Sequence, residues 1–158
     1  MSAIIIYATK HGTSDKCANL LAEKMGGDVK VVNIDKDEIP CLHCPDTVII
    51  GFSVYAGRIP KKIAKLLETN EALLLEKKLG LFLCCSADTD DDVREQIERL
   101  WPAKLREHAV SVENFGGEII WEKLNFLERT AIKIVSKQAG SRSNLKPEAI
   151  ERMASAMR

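Results

Sequence analysis

An α/β domain built on a parallel sheet, with helices on both of its faces, is the fold class this sequence predicts. Two observations carry that expectation. Several short runs are apolar from end to end, such as residues 3–8 (AIIIYA) and 47–52 (TVIIGF), the pattern of strands buried on both sides. Between them stand segments whose apolar residues recur at helical spacing, so strands and helices alternate. A length of 158 residues suits one such domain, expected to span residues 1–158.

The elements follow in order. Residues 3–8 form the first strand, and a helix carries Cys17, Leu20, Leu21 and Met25 until Gly26 and Gly27 stop it. Residues 29–34 read as the second strand. Residues 35–46 hold two prolines and no periodicity, so this crossover is expected to lack a regular helix. The third strand, residues 47–52, leads to a helix whose first turn begins at Pro60 and whose inward stripe is Ile63, Leu66 and Leu67. Residues 79–85 (LGLFLCC) are the fourth strand. Val93, Ile97, Leu100 and Trp101 mark the next helix, opened by the acidic run Asp90, Asp91 and Asp92. Residues 110–115 are the fifth strand, and Leu124, Leu127, Ala131, Ile134 and Val135 form the stripe of a long helix. Residues 138–144 (QAGSRSN) read as a linker to a last helix near Pro147, carrying Ile150, Met153 and Met157.

Composition narrows the function classes. Hydrophobic residues make up 46% and charged residues 29%, with 23 basic and 23 acidic side chains balancing. No global field argues for nucleic acid as a partner. No apolar run is long enough to cross a bilayer, although peripheral membrane contact stays open. The chain enters its first strand without a basic leader, and its five cysteines do not make a disulfide framework. Both point to a reducing, cytoplasmic location.

In an open parallel sheet, ligands bind beyond the carboxyl ends of the strands. The first such loop holds Thr9, Lys10, His11, Gly12, Thr13 and Ser14. It offers three hydroxyls, a glycine for close backbone approach, and the free N–H groups of a helix start, which suit a phosphate monoester. It is neither a Walker loop nor a dinucleotide-binding turn. The same residues also suit a plain strand-to-helix turn with Thr13 or Ser14 as N-cap.

From Ile5 through Ser14, and on to Ala18 and Leu21, the sequence resembles the flavodoxin signature, with Ser14 where that pattern has Thr. The resemblance continues in order. The run from Val48 to Gly57 is similar to the third strand and first flavin-ring loop, and Phe115, Gly116 and Gly117 to the end of the fifth strand. This later set most resembles the branch containing menaquinone-dependent protoporphyrinogen dehydrogenases, from which the chain departs in lacking a long insertion. The resemblance implies a flavodoxin-like doubly wound sheet of five strands in the order 2-1-3-4-5, with FMN as cofactor. It places the FMN phosphate at Thr9 to Ser14 and the flavin ring between two loops. The first is Ser53, Val54, Tyr55, Ala56 and Gly57, with Tyr55 the residue for stacking. The second is Ser86, Ala87 and Asp88, which has no aromatic and leaves one ring face open to a reacting molecule. No catalytic residue is identified. Asp88 fits capping of the next helix better than tuning of the flavin.

Other residues carry weaker signals. Cys41 and Cys44 form a C-x-x-C pair, a spacing used for redox and metal sites, but they precede the third strand whereas the flavin edge follows it. They are expected to be loop thiols without a cofactor role, and no metal site is expected. Cys17, Cys84 and Cys85 read as small core residues. His11 suits either a phosphate contact or solvent. Arg58, Lys61, Lys62 and Lys65 read as a solvated helix face, and Trp121 as core or rim packing.

Three functions follow. The first is an FMN oxidoreductase passing electrons between a small-molecule substrate and a quinone, as in the protoporphyrinogen step of heme biosynthesis. The second is an electron carrier serving a redox protein partner; the balanced charge speaks against it, because the resemblance implies strongly acidic carriers. The third is a flavodoxin-fold module without catalysis, against which the intact loop speaks. The oligomeric state is left open.

Overall fold

A computed structural model describes residues 2–87, 89–119, 121–136 and 141–158. Five parallel strands lie in the order β2-β1-β3-β4-β5: β1 Ser2–Ala8, β2 Asp28–Asn33, β3 Thr47–Ser53, β4 Lys78–Cys84 and β5 Ser111–Asn114. This is the predicted order, with β1 and β3 central and the chain reversing direction across the sheet between them.

Alternation along each strand divides the core in two. Ile4, Ile6 and Ala8 of β1 point to one face with Val48, Ile50 and Phe52 of β3. There they meet α2 (Lys61–Leu74), α3 (Asp90–Leu100) and the short α4 (Ala103–His108) through Ile63, Leu67, Leu100 and Leu105. Ile5, Tyr7, Ile49 and Phe82 point the other way, onto α1 (Thr13–Met25) and α6 (Pro147–Met157) through Cys17, Leu21, Ile150, Met153 and Met157. Val48, Ile49, Ile50 and Phe52 are fully buried. Each such side chain contributes about 1.5–3 kcal/mol on leaving water, which is why this strand read so clearly as doubly covered.

The crossover between β2 and β3 has no helix, as its prolines predicted; it turns at residues 42–44 and sinks Leu42 into the core. Helix α3 ends at Leu100, so Trp101 is its C-cap rather than part of its stripe; it is buried against Phe52, 5.0 Å between ring centroids. Its cap at the other end is Thr89, whose hydroxyl accepts the Asp92 N–H (3.1 Å), while Asp90, Asp91 and Asp92 occupy the first turn. The acidic run favours the helix through its dipole, and the cap itself is a threonine.

The region after β5 departs from the expectation. Glycines 116 and 117 open a new strand, β6 (Gly116–Ile119), which pairs antiparallel with β7 (Arg142–Leu145) in a separate ribbon. Residues 141–144 of the expected linker therefore belong largely to a strand, and its residues 138–140 lie outside those described. A 3-10 turn (Trp121–Lys123) precedes α5 (Phe126–Ser136). The expected stripe of α5 faces outward: Leu127 is 76% and Ile134 72% exposed, joined by Phe126 at 81%. Helical spacing says which residues share a face, not which way that face points.

Candidate anion and ring-loop site

At the carboxyl end of β1 the chain must turn from a strand into α1 within four residues. Thr9 and Gly12 make that turn. The Gly12 N–H donates to the Thr9 hydroxyl (2.9 Å), and Gly12 stands at φ 94°, a left-handed conformation that disfavours any side chain. Gly12 is also the N-cap of α1, and no side chain caps this helix. The N–H groups of its first turn accordingly face the end of the sheet with the positive pole of the helix behind them. Neither Thr13 nor Ser14 is the cap. Ser14 is fully buried, and its hydroxyl bonds the Ser53 hydroxyl at 2.6 Å, tying the first loop to the loop after β3.

The surrounding charges are organised by a residue that the sequence did not single out. Glu128, 7% exposed, reaches the loop from α5: its Oε2 lies 2.9 Å from His11 Nε2 and 3.2 Å from Lys10 Nζ. Its Oε1 accepts the Asn125 N–H (3.3 Å), while the Asn125 side chain accepts the Glu128 N–H (2.8 Å). This is a reciprocal capping box, and the Asn-x-x-Glu spacing was its local signal. Burial by itself raises the Glu128 carboxyl, but hydrogen bonds from His11, the Asn125 backbone and Lys10 outweigh it and hold the group at about 2. Lys123 joins the cluster through His11, donating from Nζ to its carbonyl (3.2 Å). Asp15, in the first turn of α1, accepts a hydrogen bond from the Tyr7 hydroxyl; burial first, then this carboxylate, pushes the phenol up to about 12.

The Glu128 clasp has a testable pH range. A carboxyl depressed from its ordinary 4.5 to about 2 stabilises the closed arrangement at pH above 4.5 and loses that contribution as pH falls toward 2. Glu128→Gln should open the segment 121–136 at neutral pH. Limited trypsinolysis at Arg129 and Lys133 should then run roughly tenfold faster than in the wild type. Equal cleavage rates in both proteins would show that the clasp holds nothing.

A cleft of about 510 Å³ opens beside this loop, lined among others by Thr9, Lys10, Gly12, Asn33 and Lys123, a volume in the usual range for small-molecule sites. A larger hollow of about 680 Å³ lies between β5 and α6, away from the loops at the carboxyl strand ends.

The second predicted group, Ser53 to Gly57, lies next to the first loop. Tyr55 and Arg58 bracket a tight turn whose central residues, Ala56 (φ 50°) and Gly57 (φ 65°), are both left-handed. Among the described residues Ala56 is the single non-glycine with positive φ, a conformation that costs of order 1 kcal/mol. The turn is braced by Arg99, which donates to the Gly57 carbonyl at 2.7 Å. Val54 is tied to β4 by its N–H on the Cys84 carbonyl (3.0 Å). Tyr55 is 46% exposed, and the Lys10 ammonium lies 3.6 Å from its ring centroid. The two loops thus meet through Ser14–Ser53 below and Lys10–Tyr55 above.

The third predicted group begins with Ser86, exposed, and Ala87, half-buried; Asp88 lies outside the described residues. Two features brace this loop. The buried Asn114 side chain accepts the Cys85 N–H and donates to the Cys85 carbonyl, both at 3.1 Å. Gly117 packs so closely that a Cβ there would stand 2.6 Å from the Ser86 nitrogen. The two glycines after Phe115 therefore have a mechanical reason: β6 lies flush against the loop, and Gly116 turns at φ 84° to bring it there.

Cys17 and Cys84 are buried, while Cys85 is only half-buried at the strand end. Cys41 and Cys44 are exposed before the start of β3, at the opposite end of the sheet from Ser53. No group of three or more metal-ligating side chains occurs among the described residues. Lys62 pairs with Asp35 at 3.3 Å, and Trp121 lies at the rim with Arg129 and Lys133 over its ring. No helix among the described residues is long and apolar enough to cross a membrane.

Residues 4–146 match the family model described as the flavodoxin domain. No curated protein matches the chain. Among solved structures, it is similar to a short-chain flavodoxin associated with a non-canonical PDU bacterial microcompartment (TM-score 0.60, 12% identity, 99% of this chain and 97% of that one). Oxidised flavodoxin 1 from Bacillus cereus aligns at a TM-score of 0.50 with 18% identity, over 72% of this chain and 83% of that one. The flavodiiron protein from Giardia intestinalis aligns at 0.54 with 12% identity, over 98% of this chain but only 34% of its own. At these identities the structures bear on fold alone.

Proposed function

This chain belongs to the flavodoxin domain family, whose cofactor is FMN, and from that premise we propose that it is an FMN-dependent oxidoreductase that passes electrons from a small-molecule substrate to an apolar acceptor of the quinone class. The residues present fit the cofactor's phosphate: an uncapped helix start, a left-handed glycine at its N-cap, the ammonium groups of Lys10 and Lys123, and the His11 ring at its rim. Bound FMN supplies the redox chemistry. The chain supplies the rest. Thr9 shapes the phosphate loop, the first-turn N–H groups hold the anion, Ser14 and Ser53 fix its distance from the ring loop, and Tyr55 offers a flat face.

The observation that carries the choice of acceptor is α5. Its exposed Phe126, Leu127 and Ile134 are held beside the phosphate loop by Glu128, so an apolar partner would arrive next to the cofactor. The balanced charge of the chain fits this reading better than steering of a charged redox protein. The sequence resemblance of Val48 to Gly57 and of Phe115 to Gly117 supports the narrower reading of protoporphyrinogen as donor, with a cytoplasmic location. A carrier role toward a redox protein is the second reading, favoured by membership of the flavodoxin domain family.

FMN added to the purified protein should bind one to one, with quenched flavin fluorescence. The reduced flavoprotein should then be reoxidised by a soluble quinone faster than by a ferredoxin or cytochrome of matched potential. Protoporphyrinogen with a quinone acceptor tests the narrower donor. Faster transfer to the redox proteins would make the chain a carrier, and failure to take up FMN would remove both readings.

A further inference from the structure

The C-x-x-C pair stands apart from everything assigned so far. Cys41 and Cys44 sit in the β2–β3 crossover, near the amino end of β3, whereas Ser53 and the ring loops are at its carboxyl end. A seven-residue strand, about 20 Å long, separates them. Neither thiol therefore takes part in holding FMN.

Their local structure is nevertheless ordered. Leu42, between the two cysteines, is 5% exposed and packs in the core cluster with Ile34 and Val48, which anchors the turn at residues 42–44 and leaves both flanking thiols in solvent. The turn over residues 42 and 43 sets Cys41 and Cys44 at its first and fourth positions, where Cα atoms stand within about 7 Å of each other, a span that a disulfide bridges. Lys77, one residue before β4, places its ammonium 2.8 Å from the His43 carbonyl, and the Lys77 carbonyl is held in turn by His108 Nε2 at 2.9 Å. Backbone bonds from His43 lead the effects that hold the Cys41 thiol below its ordinary range, with Cys44 and the Lys77 charge acting the same way. Two exposed thiols at the ends of one anchored turn, one of them with its thiolate stabilised, make the arrangement that thiol–disulfide exchange requires.

We propose that Cys41 and Cys44 form a redox-active dithiol that reduces accessible disulfides, with Cys41 the attacking sulfur and Cys44 the resolving one, as a second redox site independent of the flavin. The Cys41 thiolate attacks one sulfur of a disulfide R–S–S–R. That bond breaks, one thiolate leaves, and Cys41 holds the other half as a mixed disulfide. Cys44 gives its proton to water and attacks the Cys41 sulfur, displacing the second thiolate. The two cysteines lose two electrons in forming their bond, and the substrate gains them as two thiols once both leaving groups take up protons. Leu42 and Lys77 position the pair and do not enter the exchange.

The test is equilibration of the full chain in glutathione buffers graded from reduced to oxidised, followed by acid quench, alkylation and mass spectrometry of intact protein and peptides. The expected result is loss of two alkylatable thiols in one two-electron step, two hydrogens lighter, mapped to the peptide containing Cys41 and Cys44. Cys44→Ser should then trap one glutathione on Cys41, and Cys41→Ser should trap far less on Cys44. FMN content should be equal in all three proteins. The proposal fails if Cys41 and Cys44 stay reduced in fully oxidised glutathione, or if each carries its own adduct without forming the internal bond. It fails equally if the lost thiols map to Cys17, Cys84 or Cys85. Because the wild-type measurement needs no flavin and no variant, its outcome is separate from that of the FMN titration.

Discussion

Gly12→Val should weaken FMN binding by roughly 10- to 100-fold while riboflavin, which lacks the phosphate, binds as before. The cause of the loss is conformation rather than space. A Cβ at Gly12 meets only the Lys123 ammonium, at an ordinary 3.5 Å. The backbone, however, stands at φ 94°, where a β-branched residue is strained by more than about 1–2 kcal/mol. A valine that relaxes to negative φ swings the following N–H groups off the axis on which they face the anion. Each charge-assisted bond so lost is worth about 1.5–3 kcal/mol, and each 1.4 kcal/mol is a factor of ten in affinity. Gly12→Asn separates this cause from steric ones, because asparagine tolerates the left-handed region. It should retain most of the affinity although its side chain is as large as that of valine. Equal losses for Asn and Val, or an equal loss for riboflavin, would move the explanation from backbone conformation to crowding. Titration of the three proteins with both flavins, read by fluorescence quenching, decides between them.

That prediction draws on both what the sequence disclosed and what it hid. The strands were legible because residues 3–8 and 47–52 are buried on two faces and leave no room for polar side chains, and the strand order followed from the family resemblance. The loop from Thr9 to Ser14 was legible for its position after β1. Two of its hydroxyls are engaged within the protein, Thr9 in shaping the loop and Ser14 in tying it to Ser53, so in the proposed anion site the backbone N–H groups and nearby cations take the larger share. Glu128 was hidden because its contact with His11 spans 117 residues, although its capping box with Asn125 could be read locally. The β6–β7 ribbon was hidden for another reason: Arg142, Ser143 and Asn144 have no apolar alternation to announce a strand. The outward stripe of α5 belongs to a third class, since periodicity fixes a face and only the tertiary structure orients it.

Gly51→Ala should lower the stability of the fold by about 3 kcal/mol, although it adds a single methyl group in a strand. Gly51 and Phe82 are direct partners across β3 and β4, and a Cβ at Gly51 would stand 2.2–2.3 Å from three atoms of the Phe82 ring. The ring has no free path of retreat. It is fully buried and stacks on Phe115 with 4.6 Å between centroids and 17° between planes. Displacing Phe82 therefore displaces Phe115, which is followed by Gly116, packed against Asn144, and by Gly117, packed against Ser86. At roughly 2–4 °C per kcal/mol for a domain of this size, the midpoint of thermal unfolding should fall by roughly 6–12 °C. A double-mutant cycle identifies the contact responsible. Phe82→Leu alone leaves a gap opposite Gly51, so combining it with Gly51→Ala should cost at least about 1 kcal/mol less than the two changes added separately. Additive costs would place the clash elsewhere. A Gly51→Ala protein within about 0.5 kcal/mol of wild type would mean that β3 and β4 separate readily at this point. The reach of the effect matters for function. Fluorescence of bound FMN should change in Gly51→Ala well below its unfolding temperature, because the strands that carry Gly51 and Phe82 both end at the loops proposed to hold the flavin ring.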